Sequence, residues 1–195
     1  NIRFRDEPVT FTKYIVENTN TKEVCIYQYE PFNISYDNFS LKAQGGKINL
    51  CEIVLMIGEN GTGKTSFIKK LAQNQDLIAS VKSQNPYIKY EGKVKDYLEE
   101  KIDKSLGDSR FYIDVIKALG IDKLYDIDVN NLSGGQMQKL SIVVCLGRDA
   151  NLYLLDEPSA FIDIEDRCKL AKIIKKFTYD NKKTVFIIEH DITLA

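Results

Sequence analysis

An apolar run, CEIVLMIG, ends at Gly58, and the residues that follow read Glu59, Asn60, Gly61, Thr62, Gly63, Lys64, Thr65 and Ser66. Gly58 to Thr65 fit the spacing GxxxxGK[ST], flanked by a strand and the first turns of a helix. Glycines at such a turn let successive backbone N–H groups converge on a phosphate. The helix N-terminus adds positive potential, Lys64 reaches the β and γ oxygens, and Thr65 is placed to ligate Mg²⁺. A second apolar run, LYLL, ends in Asp156-Glu157-Pro158. A carboxylate at Asp156 belongs beside that metal ion, and Glu157 follows where it can orient or deprotonate water. His190, the only histidine, sits after the run TVFIIE, at the end of a strand where open α/β sheets bind ligands. Gln84 closes ASVKSQ in the same manner.

A second glycine motif, NLSGGQMQKLS at 131–141, also precedes a helix. It resembles another phosphate cradle. One phosphate tail cannot be held by both Gly63 and Gly134 when each motif caps a different helix of one compact domain. The second cradle therefore serves a nucleotide bound to another copy of the fold.

The elements that must position these groups follow from the patterning. Residues 11–57 carry β-branched and aromatic runs, FTKYIVE, VCIYQYE, FNISYDNFSL and CEIVLMIG, separated by Asn, Gly and Lys, so they predict strands and hairpins. From Thr65 a helix begins, with Phe67, Ile68 and Leu71 at helical spacing, and 77–84 returns to strand character. Residues 90–133 form a helical part, in which Phe111, Val115, Ala118 and Leu119 share one face and Gly120 is the stop. GGQMQKLSIVVCLG is a helix, NLYLLDE a strand, IEDRCKLAKIIKKF an amphipathic helix, and KTVFIIEH the last strand. This alternation predicts an α/β fold with a parallel sheet and crossover helices.

Composition limits the function. A chain of 195 residues with 44% hydrophobic content buries a sizeable core, and 27 Lys and Arg against 28 Asp and Glu leave no domain-wide charge for nucleic acid. The lysine pairs at 69–70, 175–176 and 182–183 read as solvated helix faces and turns. Cys25, Cys51, Cys145 and Cys168 form no CxxC pair and are expected as buried thiols in a reducing compartment. No run approaches 18 apolar residues and no signal peptide opens the chain, so the expectation is a cytoplasmic protein without a membrane partner. The abrupt ends suggest a fragment.

Leu132, Ser133, Gly134, Gly135 and Gln136 spell LSGGQ. With the phosphate loop, LLDEP, a strand-end glutamine and a terminal histidine in this order, the chain resembles the ATP-binding cassette (ABC) ATPases. The resemblance implies a P-loop NTPase of the ABC type across 1–195, with a mostly parallel core sheet, an antiparallel β lobe and a helical lobe. It implies ATP and Mg²⁺, with ATP held between the phosphate loop of one cassette and the signature of a second cassette in the same full-length chain. Ser133 and Gly135 would then contact the γ-phosphate in trans. Gln84 would sense the metal and attacking water, His190 would hold the γ-phosphate, and SAFID would form the D-loop, from Ser159 to Asp163, which communicates across the interface. Tyr36 is placed like the aromatic that stacks on adenine, and Phe39 is its rival.

IRFRDEPV, PYIKYEGKV, LGIDKLYDIDVNNLSGG, LYLLDEPSAFIDIEDR and KKTVFIIEHD are similar to the second nucleotide-binding domain of subfamily E, the RNase L inhibitor family of ribosome-recycling factors. That similarity implies an ATPase of a translation factor, in which ATP binding closes two cassettes as a clamp and hydrolysis reopens it, with the small ribosomal subunit and release or initiation factors as partners. Phe161-Ile162 departs from the Tyr-Leu of this branch, and Lys139 stands where an arginine commonly follows the signature. Residues 66–83 are about one hairpin shorter than the resemblance implies. The ATPase of a membrane transporter and another cytosolic ABC translation factor are the alternatives.

Overall fold

The computed structural model describes residues 24–36, 39–74 and 77–190. The expected strand in FTKYIVE, the stretch IRFRDEPV and Asp191 lie outside them.

Four parallel strands form the central sheet: β5 (Ile53–Ile57), β6 (Ala79–Lys82), β7 (Leu152–Asp156) and β8 (Thr184–Glu189), in the order β5-β8-β7-β6. β7 and β8 are buried along their whole length, which explains their near-continuous apolar sequences. Alternate residues serve opposite faces. Leu152 and Leu154 pack with Ile68 and Leu71 of α1 (Lys64–Ala72) and with Ile48. Tyr153 and Leu155 join the larger core built by α2 (Val94–Leu106), α4 (Gly134–Gly147) and α5 (Ile164–Asp180).

The described strands before β5 are antiparallel, as expected: β1 (Cys25–Tyr29) pairs with β4 (Gly46–Asn49), and β2 (Phe32–Tyr36) with β3 (Phe39–Ala43). Phe32 stacks on Phe67 of α1 with ring centroids 5.5 Å apart, and Tyr29 meets the same ring edge-on at 5.8 Å. These rings seat the hairpin beside the helix that follows the phosphate loop. β6 is shorter than the strand expected over 77–84, so Gln84 stands two residues beyond its end.

The helical face expected at 111–119 is corrected at one position. α3 (Ser109–Phe111) runs into a π-helical turn, Tyr112–Lys117, whose wider winding brings Ile116 into the core and leaves Ala118 exposed. Phe111, Val115 and Leu119 are buried as expected. Gly120, at φ 71°, ends the segment, and the Ile121 N–H reaches back to the Ile116 carbonyl. The cysteine expectation is corrected too. Cys25 and Cys168 are exposed and Cys51 is half-buried, because they lie on an edge strand, a turn and the outer face of α5. Only Cys145 is fully buried, and burial pushes its thiol up to about 11. The lysine pairs are solvated in part only: Lys176 pairs with Asp114 at 2.8 Å, and Lys183 donates to the Ala150 carbonyl at 2.6 Å.

Candidate functional site

All four parallel strands deliver site residues at their carboxyl ends. Ile57 opens into the loop 58–63, Asp156 is followed by Glu157, Glu189 by His190, and Lys82, after Ser83, by Gln84. Their registers, Ile57 opposite Glu189 and Asp156 opposite Ile188, bring these ends level. A cleft of about 470 Å³ results, lined by Tyr36, Phe39, residues 60–66, Gln84, Glu157 and His190.

The loop is built for close approach. Gly61 and Gly63 hold φ of 80° and 91°, a left-handed backbone that glycine adopts without strain. A Cβ on Gly63 would lie 2.7 Å from the Phe39 ring, so this glycine is also fixed by packing. The Lys64 ammonium donates to the carbonyls of Gly58 and Glu59, both at 2.7 Å, and the Thr62 hydroxyl donates to Glu59 at 2.9 Å. Phe39 is thus committed to the loop. Tyr36, its cross-strand partner with ring centroids 6.4 Å apart, is 62% exposed at the cleft edge.

The Thr65 hydroxyl donates to Asp156 Oδ2 at 2.8 Å, and the other carboxylate oxygen, Oδ1, is buried with no partner. A buried carboxylate oxygen left unpaired next to a hydroxyl and a phosphate loop fits a hard cation, and Mg²⁺ needs only one or two protein oxygens when phosphates supply others. Among the described residues no group of three or more His, Cys, Asp or Glu is placed to hold a metal ion by itself.

Glu157 is the convergence point. Its Oε1 accepts from Gln84 Nε2 at 2.8 Å and lies 2.8 Å from His190 Nε2, while His190 Nδ1 is 3.0 Å from the Gly58 carbonyl. The three residues read as catalytic from sequence therefore form one hydrogen-bonded group beside the phosphate loop.

The signature residues do not join it. Ser133 caps α4: its hydroxyl accepts from the Gln136 N–H, and the Gln136 side chain accepts from the Ser133 N–H. Leu132 and Gly134 line a separate cleft of about 430 Å³ with Tyr87, Met137 and Phe161. A Cβ on Gly135 would stand 2.7 Å from the Phe161 carbonyl, so this glycine lets the helix cap press against residues 159–163. In that loop Ser159 donates from its N–H and hydroxyl to the two carboxylate oxygens of Glu189, at 2.9 and 2.8 Å, and Asp163 caps α5 by accepting from the Asp166 N–H. Lys139 pairs with Asp166, which joins α4 to α5. Lys139, then Lys169, holds the Asp166 carboxyl below the usual range.

Sequence reasoning missed three residues. Glu189 ties the 159–163 loop to the strand that carries His190. Lys82, buried, donates to the carbonyls of Asp156 and Glu157 at 2.7 and 3.1 Å. Burial pulls its pKa down to about 8, against Asp156, Glu189 and Glu157, which favour the cation. Gln138 donates to the same Glu157 carbonyl at 2.7 Å. The signal available was a charged or amide side chain inside an otherwise apolar stretch: ASVKS, TVFIIE and QMQKLSIVV.

Residues 41–160 match the ABC transporter family profile. The chain is 39% identical over its whole length to the translation initiation factor rli1 of Schizosaccharomyces pombe, and spans 33% of that protein. It is 38% identical to ABC transporter E family member 3 of Arabidopsis thaliana, over 81% of this chain and 96% of the relative. A crystal structure of an archaeal ribosome recycling factor, solved in complex with the stalk protein aP1, superposes at TM-score 0.85 with 36% identity, over all of this chain and 39% of that one. The parallel sheet, the antiparallel strands and the signature helix, together with these matches, place the chain in the ATP-binding cassette family, on its E branch.

Proposed function

We propose that this domain is one ATP-binding and ATP-hydrolysing cassette of a translation factor that acts on ribosomes. The observation that carries the reading is the group at Glu157 Oε1, where Gln84 and His190 meet beside the phosphate loop. Binding would place the phosphates along the N–H groups of 58–65, with the Lys64 ammonium exchanging the carbonyls of Gly58 and Glu59 for phosphate oxygens. Mg²⁺, held through Thr65 and Asp156, would neutralise charge on the phosphates. Glu157 accepts a hydrogen bond from the attacking water and takes its proton as the new O–P bond forms. The γ-phosphorus parts from the β–γ bridging oxygen, and ADP and phosphate are the products. Gln84 and His190 hold the carboxylate and the γ-phosphate in line, so catalysis is positional and electrostatic.

The signature cleft opens elsewhere, beside Phe161, which is 74% exposed, and the exposed Tyr87. An apolar rim around a capped helix N-terminus suits a second cassette, whose nucleotide Ser133 and Gly135 would meet in trans. The twofold to threefold greater length of the S. pombe and archaeal relatives leaves room for that cassette in one chain. Among the described residues no helix is long and apolar enough to cross a membrane. The S. pombe relative is named as a translation initiation factor, which supports a cytoplasmic site of action.

The test is cosedimentation of the full-length protein with small ribosomal subunits. Binding should require ATP or a non-hydrolysable analogue. Failure to bind in every nucleotide state, with a membrane protein copurifying, would replace the ribosome reading with the transporter one.

Tyr36 is proposed as the adenine platform, because Phe39 is held by Gly63. A stacked base is worth ~1–3 kcal/mol, so Tyr36→Ala should weaken ATP binding about tenfold. Binding of inorganic triphosphate should stay unchanged. An equal loss for triphosphate would move the base elsewhere.

A further inference from the structure

Three unfavourable features meet at one carbonyl. Glu157 has a left-handed backbone, φ 48°, which a residue with a Cβ adopts at a cost. Gln138 is 0% exposed, and its Oε1 has no partner. An apolar side chain of the same length would fill that space without leaving a buried polar atom unpaired. Lys82 is 2% exposed, and burial works against its ammonium. Stability alone would place neither side chain there. What they share is the Glu157 carbonyl, which accepts Gln138 Nε2 at 2.7 Å and Lys82 Nζ at 3.1 Å. The Glu157 N–H is held in turn by the Ile188 carbonyl at 3.0 Å.

We propose that Gln138 and Lys82 are positioning residues for hydrolysis, fixing the left-handed backbone of Glu157 and so holding its carboxylate against Gln84 and His190. This rests on the reading of Glu157 as the group that activates water. The two donors come from different elements. Lys82 stands on β6, next to β7 in the sheet, and Gln138 on α4 below the Ser133–Gln136 cap. The position of the signature helix and the aim of the carboxylate are therefore set together, through one hydrogen bond.

The experiment is single-turnover ATP hydrolysis and ATP binding by the full-length protein. It compares Gln138→Met, Lys82→Met, Glu157→Gln and the double variant Gln138→Met/Glu157→Gln. Met keeps the length of Gln138, falls one atom short of Lys82, and removes the donor at both positions. Since a misplacement on the order of 1 Å costs about 10²-fold, each Met variant should lose about 10- to 100-fold in the chemical step, with ATP affinity within about threefold of wild type. On the Glu157→Gln background, Gln138→Met should cost nothing further, because the group it aims is gone. An undiminished chemical step in both Met variants overturns the proposal, as does an equal loss with and without the Glu157 carboxylate. If Lys82→Met does not fold, as judged by its thermal unfolding, Gln138→Met carries the test. Full turnover by Glu157→Gln alone would instead remove the reading on which the proposal rests.

Discussion

Glu157→Gln is expected to retain ATP and lose about 10²- to 10⁴-fold in turnover, the usual contribution of a positioned general base. The substitution changes two atoms' chemistry and almost no volume. The amide oxygen can still accept from Gln84 or His190, which now meet at one carboxylate oxygen, so the cleft keeps its shape. The lost quantity is a proton acceptor on the water, felt only as the O–P bond forms. Such a change lowers kcat and leaves binding alone. Because hydrolysis would reopen the paired cassettes, the variant should also stay bound to small ribosomal subunits longer than wild type in the presence of ATP. Turnover measured with labelled ATP, and release followed by sedimentation, check both halves. Unchanged turnover would mean that the water is activated by another group.

The signs of this site that could be read in the sequence are those whose chemistry is local. The residues 58–65 need only one another and a following helix, and Asp156-Glu157 need only the end of a buried strand. His190 gained its meaning from the strand before it. The supports of Glu157 were hidden because they are contacts across the fold: Lys82 stands 74 positions from Asp156, and Ser159 lies 30 from Glu189. No periodicity reports such pairs. The ground for proposing Tyr36 over Phe39 was equally out of reach, since it turns on which ring packs against Gly63. The π-helical turn at 112–117 is a further case. A regular 3.6-residue period places Ala118 inside, whereas the wider turn, which no residue type marks, exchanges it for Ile116. The exposed Cys25 and Cys168 show the opposite failure, a residue preference overridden by position on an edge strand and an outer helix face.

Lys64→Ala should abolish tight ATP binding rather than slow the reaction of bound ATP. Hydrogen bonds to a charged group contribute ~1.5–3 kcal/mol each, so losing contacts to both the β and γ oxygens weakens affinity by about 10²- to 10⁴-fold. The fold should not suffer in proportion. The ammonium lies in the loop at the cleft, and its two carbonyl partners, those of Gly58 and Glu59, keep the His190 ring and the Thr62 hydroxyl respectively. The distinguishing measurement is the thermal midpoint with and without ATP. Wild type should gain stability with ligand concentration as RT ln(1 + [L]/Kd) prescribes, whereas the variant should match wild type without ATP and gain nothing at the same concentrations. An unchanged ATP-dependent shift would show that the phosphates are held by the loop's N–H groups alone. The Lys64 ammonium would then have to act later, on charge that develops as the γ-phosphoryl group departs, and the variant's defect would appear in kcat.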